Sequence, residues 1–461
     1  MSASIDLIDQ LHKSTMARTG LFWFTNDLRL HDNPALQRAV ASVDSLVCVY
    51  VLESRSVSPS SYSAPTMGQP RYQFLRQSLL ELQRDLQKLG QKLLVVQGSA
   101  ASILPSLVRA VEATDVFRSR HAGWYENRDW DYTRTKCADC AFHTVDSHTL
   151  FDLDALPCDL AELPATFTRF RKQIESATPS APIMPLSYLP PPARFRSAIQ
   201  LPTLRLLGSV DVAASQFQGG EAAALAQLES YFSADLPANY KQVRNALAGW
   251  DNSTKFSPWL ANGNLSVREL VSRLRRFEQE VTHNDSTYWI YFELLWREFF
   301  QWHAHQHGAR LFSAQGIKRI SPVTSFYPER YQKWIAGNTP YPLVNACMRE
   351  LSATGYLSNR GRQIVASCFV NELGIDWRYG AAYFEQVLLD YDVASNWGNW
   401  QYLAGVGADV QPKRHFNLEK QAATFDPDGA YVARWQGNQT LLPLDSVDAA
   451  DWPVQVSENG S

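Results

Sequence analysis

The stretch LFWFTNDLRLHDNPAL (21–36) decides how the first third of the chain folds. LFWFT carries no charge and has the length of a strand buried on both faces. After a short polar link, Asp32-Asn33-Pro34 offers a capping side chain and then a proline suited to a first helical turn. A buried strand that hands over to a helix so quickly begins a βαβ unit.

Outward from this stretch the pattern repeats. SLVCVYVL (45–52) is a second buried strand, and an amphipathic helix over 70–89 ends at Gly90. KLLVV (92–96) is strand, 102–112 is helix and DVFRS (115–119) is strand. This alternation predicts a doubly wound, Rossmann-like parallel sheet. No G-x-G-x-x-G follows the first strand, so the domain is not read as an NAD binder. Residues 179–202 hold seven prolines, which rules out regular helix and predicts an extended connector. From about Ser215 the pattern turns helical, with SVRELVSRLRRFEQE (266–280) amphipathic and TYWIYFELLWREFFQWH (287–303) apolar on most sides. The expected layout is an N-terminal extension (1–18), an α/β domain (19–150), a linker (151–214), an all-α domain (215–440) and a C-terminal tail (441–461).

The chain has 461 residues, enough for two or three domains. Its net charge of −3 excludes a chain that is basic throughout, although summed charge can hide a local basic groove. Aromatic residues make up 12%, which suits a protein that stacks flat rings or moves electrons; a large aromatic core explains the same figure. No apolar run reaches the roughly 20 residues of a membrane helix, and the opening residues lack a secretory apolar region. A cytoplasmic location is therefore expected, and Met16 offers an alternative start. Six cysteines over this length fit free thiols in a reducing compartment. Cys137, Cys140, His143 and His148 have a spacing that could hold zinc. A single C-x-x-C is weak support, and the reading adopted is no metal, with two small residues near a domain edge.

Four helical-domain segments carry unusual side chains. In NSTKFSPWLANGNLS (252–266), Ser253, Thr254, Ser257 and Lys255 near a helix start are what a diphosphate requires; a capped helix needing no ligand explains them too. In FELLWREFF (292–300), Glu293 and Arg297 are four apart with Trp296 beside them, either an intrahelical ion pair or a carboxylate, ring and guanidinium at a pocket. In GYLSNRGRQIVAS (355–367), Arg360 and Arg362 oppose the helix dipole, so they should meet anionic groups, from the protein or from a ligand. In LLDYDVASNWGNWQY (388–402), Asp390 and Asp392 could pair with Arg362 or accept from a ring, and Trp400 with Trp377 could relay electrons or simply fill the core.

Together these segments resemble the photolyase/cryptochrome superfamily, above all its cryptochrome-DASH branch. The resemblance runs from FWFTNDLRLHDNPAL (22–36) to FDPDGAYVARW (425–435). It is most specific over NTPYPLVNACMRELSATGYLSNRGRQIVAS (338–367) and LLDYDVASNWGNWQYLAGVGAD (388–409). It implies an antenna chromophore on the α/β domain and a U-shaped FAD in the helical domain. Tyr240, Ser253, Thr254, Lys255, Phe256 and Ser257 would then hold the phosphates and ribityl chain. Arg297, Asn359 and Arg362 would line the flavin, Arg362 and Asp390 would form a buried ion pair, Asp392 would face the pyrimidine edge, and Asn396 would sit by N5.

The same resemblance implies blue-light repair of cyclobutane pyrimidine dimers, by an electron from reduced flavin to a flipped-out dimer. Glu293 would hydrogen-bond the flipped bases, Trp296 would stack on them, and Arg360 would contact the strand. Gln363 and Tyr402 stand where duplex-repairing photolyases carry Met and Trp, which points to single-stranded DNA as the partner. RNA stays open as a further partner, and a monomer is expected. Trp400 and Trp377 match the first two members of the family's tryptophan chain, but its outer position reads Thr324; Tyr327, Tyr331 or Trp334 could serve instead. For the antenna the resemblance offers methenyltetrahydrofolate, with Glu126 in GWYENRDW (123–130) as its contact. The alternative is a blue-light photoreceptor or nucleic-acid-binding regulator without repair, with an unrelated helical flavin reductase a distant third.

Overall fold

The computed structural model describes residues 17–62, 65–203, 216–408 and 414–439. Five strands, β1 Thr19–Phe24, β2 Ser45–Glu53, β3 Leu93–Gly98, β4 Asp115–Ser119 and β5 Ala141–Val145, form one sheet in the order β3-β2-β1-β4-β5. All neighbouring pairs are parallel. Alternate residues of β1 feed two cores. Phe22 and Phe24 join Leu36 of α1 (Pro34–Val40) and Leu79 of α2 (Gln69–Lys88) on one face. Leu21 and Trp23 join Leu104 of α3 (Ala100–Val111) and Trp130 of α4 (Trp124–Lys136) on the other. Burial on both faces is why the strand reads as an unbroken apolar run. Asn33 caps α1 by accepting from the Leu36 N–H at 3.0 Å, with Pro34 in the first turn, as expected. The edge strand β5 is absent from the sequence reading, because its AFHTV is only partly buried and gives a weak apolar signal.

The expected linker divides. Phe167–Ile174 forms a helix, α5, whose Phe167, Phe170 and Ile174 belong to the helical core, so this part is structure rather than connector. The proline-rich part after it is extended and touches the sheet at single bridges, Leu46 to Pro192 and Val96 to Thr203. The expected tail and residues 1–16, including Met16, lie outside the described residues.

The helical domain continues with α6 Glu221–Phe232, α7 Leu236–Val243, α8 Ser257–Asn262, α9 Val267–Glu280 and α10 Asp285–His307. It is completed by α11 Pro328–Ala336, α12 Pro342–Thr354, α13 Asn359–Ser367, α14 Trp377–Val387, α15 Val393–Leu403, α16 Leu418–Phe425 and α17 Ala430–Arg434. α10 runs through the core and starts on a capping box, Asn284 with Thr287.

Buried polar bonds join the two domains. The Arg29 guanidinium, 1% exposed, donates to the carbonyls of Gly263 at 3.0 Å, Asp32 at 2.8 Å and Ser147 at 2.6 Å. Glu298 of α10 accepts from the backbone N–H groups of Leu150 at 2.8 Å and Phe151 at 3.2 Å. Gly263 has a φ of +70°, and a Cβ there would collide with the Asn26 backbone, so only glycine allows this approach.

Candidate active site

A cavity of about 270 Å³ opens in the helical domain and is continuous with a second of about 220 Å³. Tyr240, Thr254, Ser257, Glu293, Arg362, Asp390, Asp392 and Ser395 line both. Ser253, Lys255, Asn359, Gln363, Asn396 and Trp400 line the first, and Phe256 and Arg297 the second.

One end is built by the loop into α8. Lys255 holds a φ of +57°, rare for a residue with a Cβ, and is 8% exposed with its ammonium 4.8 Å from the Tyr356 ring centre. The strained turn brings Ser253, Thr254 and Ser257 to the same wall. α8 has six residues, so the Lys255 cation and these hydroxyls, more than a helix dipole, make the end suited to anionic groups.

The middle is built by α13 and the loop into α15. Ser358 caps α13 by accepting from the Gly361 N–H at 3.2 Å. Arg362, one turn in, donates to Asp390 Oδ2 at 2.7 Å and to the Leu357 carbonyl at 2.8 Å. The Asp390 carboxylate thus supplies the anion that an arginine at a helix start needs. Its other oxygen is buried and has no hydrogen-bond partner among the described residues. Asp392 caps α15 through the Ser395 N–H at 2.7 Å and accepts from the Gln301 amide at 2.9 and 2.8 Å. His148 Nε2 lies 3.5 Å from it. Burial works against the Asp392 carboxylate, but the contact with His148 and the Arg297 charge outweigh that and hold it below the usual carboxylate range. Burial, reinforced by Arg297, pushes the His148 imidazole down to about 4. Asn396 donates its amide nitrogen to the Ala381 carbonyl at 3.0 Å, which leaves its amide oxygen as an acceptor.

At the mouth, Glu293 forms an ion pair with Arg244 of the α7–α8 loop. The intrahelical pair with Arg297 is not made: Arg297 donates instead to the His148 carbonyl at 2.7 Å. Arg360 donates to Asn245 at 3.3 Å and lies over the Phe425 ring at 4.7 Å, so among the described residues only Arg362 of the two arginines meets an acid. Trp296 is outside the residues lining either cavity. Phe167 stacks on it at 3.8 Å and 13°, and Tyr402 meets it edge-on at 5.9 Å. At most one Trp296 face is therefore left for a ligand ring.

Trp400 packs against Gly380 of α14, where a Cβ would collide with the Trp400 ring. Trp377, fully buried, sits three residues before Gly380 on the same helix and packs edge-on against Trp397 at 5.7 Å. Glu126 belongs to the α/β domain, outside both cavities, 3.7 Å from His121. The supposed zinc residues diverge: His143 bonds Asp115 at 2.9 Å and His148 faces Asp392. Among the described residues no three metal-ligating side chains come together.

Sequence reasoning missed Arg244, Gln301 and the role of His148. Gln301 was findable, since Glu293, Arg297 and Gln301 repeat at four-residue spacing along one face of α10. Arg244 lies in a loop without periodicity, and His148 comes from the other domain.

A buried orphan carboxylate oxygen, a strained lysine and an aromatic wall suit a long ligand with phosphates at one end and a hydrogen-bonding ring at the other. Comparison with known proteins identifies the family. Residues 20–191 match the family model described as DNA photolyase, and 289–459 the model described as FAD binding domain of DNA photolyase. The fold is thus that of the photolyase/cryptochrome superfamily, with an FAD-binding helical domain. The chain is 50% identical to a cryptochrome DASH of Idiomarina loihiensis over 95% of its length and 97% of that protein's. It is 46% identical to a cryptochrome DASH of Vibrio parahaemolyticus, over 96% and 99%. The crystal structure of a Synechocystis cryptochrome superposes with a TM-score of 0.87 at 37% identity, covering 96% of this chain and 95% of that one. The chain belongs to the cryptochrome-DASH family.

Proposed function

We propose that this protein repairs cyclobutane pyrimidine dimers in blue light and prefers single-stranded DNA. The observation that carries the reading is one cavity whose mouth holds the Glu293–Arg244 pair and Gln363, and whose interior holds Arg362–Asp390, Asn396 and Trp400. Lysine and hydroxyls at the Ser253–Ser257 end would hold the diphosphate of FAD, and the free oxygens of Asp390 and Asn396 would accept from the flavin ring. Bound there in reduced form, FAD supplies the light-excited electron that splits the cyclobutane ring.

The other tasks fall to the chain. Arg244 fixes the Glu293 carboxylate at the mouth, where its oxygens can accept from the N–H groups of an unpaired pyrimidine. Arg360, whose guanidinium donates to the neutral Asn245 side chain and so keeps its charge, suits a phosphate backbone. Trp296, covered on one face, and Gln363 offer less apolar area than a deep aromatic clamp. Flipping a dimer from duplex costs a few kcal/mol, and a single strand avoids much of it. Glu126, 3.7 Å from His121 in the α/β domain, is proposed as the contact for a methenyltetrahydrofolate antenna. The partial cover on Trp296 favours the second reading, a photoreceptor that binds nucleic acid, RNA included, without repair.

The test is light-dependent repair of one defined thymine dimer in single-stranded and duplex oligonucleotides, with reduced flavin-loaded protein and a dark control. Repair confined to the single strand is expected. Equal repair of duplex would defeat the strand preference, and repair of neither would leave the photoreceptor.

A further inference from the structure

Cys137-Ala-Asp-Cys140 lies in the α/β domain, outside both cavities, and its cysteines are free thiols. Helix α4 ends at Lys136, and the edge strand β5 starts at Ala141. Between them the chain makes one tight turn, closed by the Cys140 N–H, which donates to the Cys137 carbonyl at 3.1 Å. Such a turn holds its end Cα atoms within about 7 Å, and disulfides span Cα separations of about 4.4–6.8 Å. The backbone is therefore already folded to a separation that a disulfide accepts. Both side chains also turn to one core. Cys137 is buried with Leu104, Val108 and Trp130, and Cys140 packs against the same cluster from its rim.

We propose that Cys137 and Cys140 form a redox pair that a hydroperoxide closes to an intramolecular disulfide. Access sets the order of events, because Cys140 is half-buried and Cys137 is 8% exposed. The Cys140 sulfur attacks the O–O bond of hydrogen peroxide. An S–O bond forms, the O–O bond breaks, one water leaves and Cys140 becomes a sulfenic acid. The Cys137 sulfur then attacks the sulfenic sulfur, so that an S–S bond forms, the S–O bond breaks and a second water leaves. Two thiols lose two electrons and two protons, and one peroxide becomes two waters.

The surroundings make this a slow pair. Attack requires thiolate. Burial, followed by Cys137, Asp139 of the turn and Asp115 of β4, pushes the Cys140 thiol up to about 11. Its S–H donates to the Ala113 carbonyl at 2.9 Å. Burial raises the Cys137 thiol too, against the Arg109 cation of α3. Closure therefore answers sustained peroxide. The product clasps the end of α4 to the start of β5, a strand that only β4 holds in the sheet.

The experiment uses the flavin-loaded full chain in the dark, reduced with dithiothreitol, desalted and exposed to hydrogen peroxide. Free thiols are blocked with iodoacetamide in denaturant, and an aspartate-specific protease cuts before Asp139. That cut separates the two cysteines, so the fragments 131–138 and 139–145 stay joined only through a disulfide. Mass spectrometry should find them joined, and dithiothreitol should part them. C137A should instead leave Cys140 as a sulfenic acid that dimedone traps. The wild-type arm does not depend on the variant folding. Both thiols still blocked after peroxide, Cys140 carried to a sulfinic acid with Cys137 blocked, or either fragment joined to another cysteine would overturn the pair. Amide hydrogen exchange in β5 should slow severalfold on oxidation, and unchanged exchange would overturn the clasp.

Discussion

Arg362 and Asp390 face each other at 2.7 Å in the cavity wall, and the carboxylate oxygen that Arg362 leaves alone is buried without a partner among the described residues. A buried acceptor left unsatisfied costs about 1–3 kcal/mol. A ring N–H from a bound flavin would recover that cost. Asp390→Asn keeps the shape but removes the charge that Arg362 faces. It should purify with markedly less FAD and lose about 1–3 kcal/mol of stability. Flavin-to-protein absorbance ratios and thermal melts check this, and an unchanged FAD content would refute the pairing as a cofactor contact.

The ion pair at the mouth predicts separable effects on nucleic acid. Glu293→Gln should weaken binding of dimer-containing single strands by about tenfold, or about 1.4 kcal/mol, and leave undamaged strands nearly untouched. Arg244→Ala should weaken both and lower the salt dependence by about one counterion. Fluorescence anisotropy at several salt concentrations distinguishes them; identical losses on damaged and undamaged strands would count against base recognition by Glu293.

His148 predicts a pH effect with a defined sign. Burial lowers its imidazole from the ordinary 6.5 to about 4, so within that window the unfolded chain takes up a proton that the folded chain refuses. Its contribution is intact above 6.5 and is lost as pH falls toward 4. His148→Asn removes the effect, so the stability gap between the two proteins should narrow by about 2 kcal/mol between about pH 7 and about pH 5. Denaturant titrations at both values measure the gap, and a constant gap would show that His148 is not held neutral.

Trp400 lines the cavity and packs 5.1 Å from Phe384 and 5.6 Å from Phe369. Phenylalanine at this position keeps the packing and is far harder to oxidise. Photoreduction of the flavin in Trp400→Phe should slow by at least about tenfold. Unchanged kinetics under continuous blue light would remove Trp400 as first donor.

The parts legible in the sequence were those written in short-range patterns. LFWFT, the Asn33 cap and the alternation to DVFRS identify the parallel sheet, and the long motifs place Arg362, Asp390, Asn396 and Trp400 on one cavity. What was hidden depends on partners distant in sequence. Glu293 chooses Arg244, 49 residues away, over Arg297 one turn along. Phe167, in what reads as linker, covers a Trp296 face, and spacing cannot reveal a ring that arrives from outside the segment. β5 is an edge strand whose exposed positions blur its apolar signal.

The Arg29 guanidinium, which bonds Gly263 of the helical domain from within the α/β domain, ties the fate of the sheet to that of the cavity. Opening the seam would strand a buried cation and the Glu298 carboxylate together, so neither domain has a cheap way to unfold while the other stays folded. FAD bound only in the helical domain should therefore slow amide hydrogen exchange in β1 as well, and heating should give one calorimetric transition that moves upward with flavin occupancy.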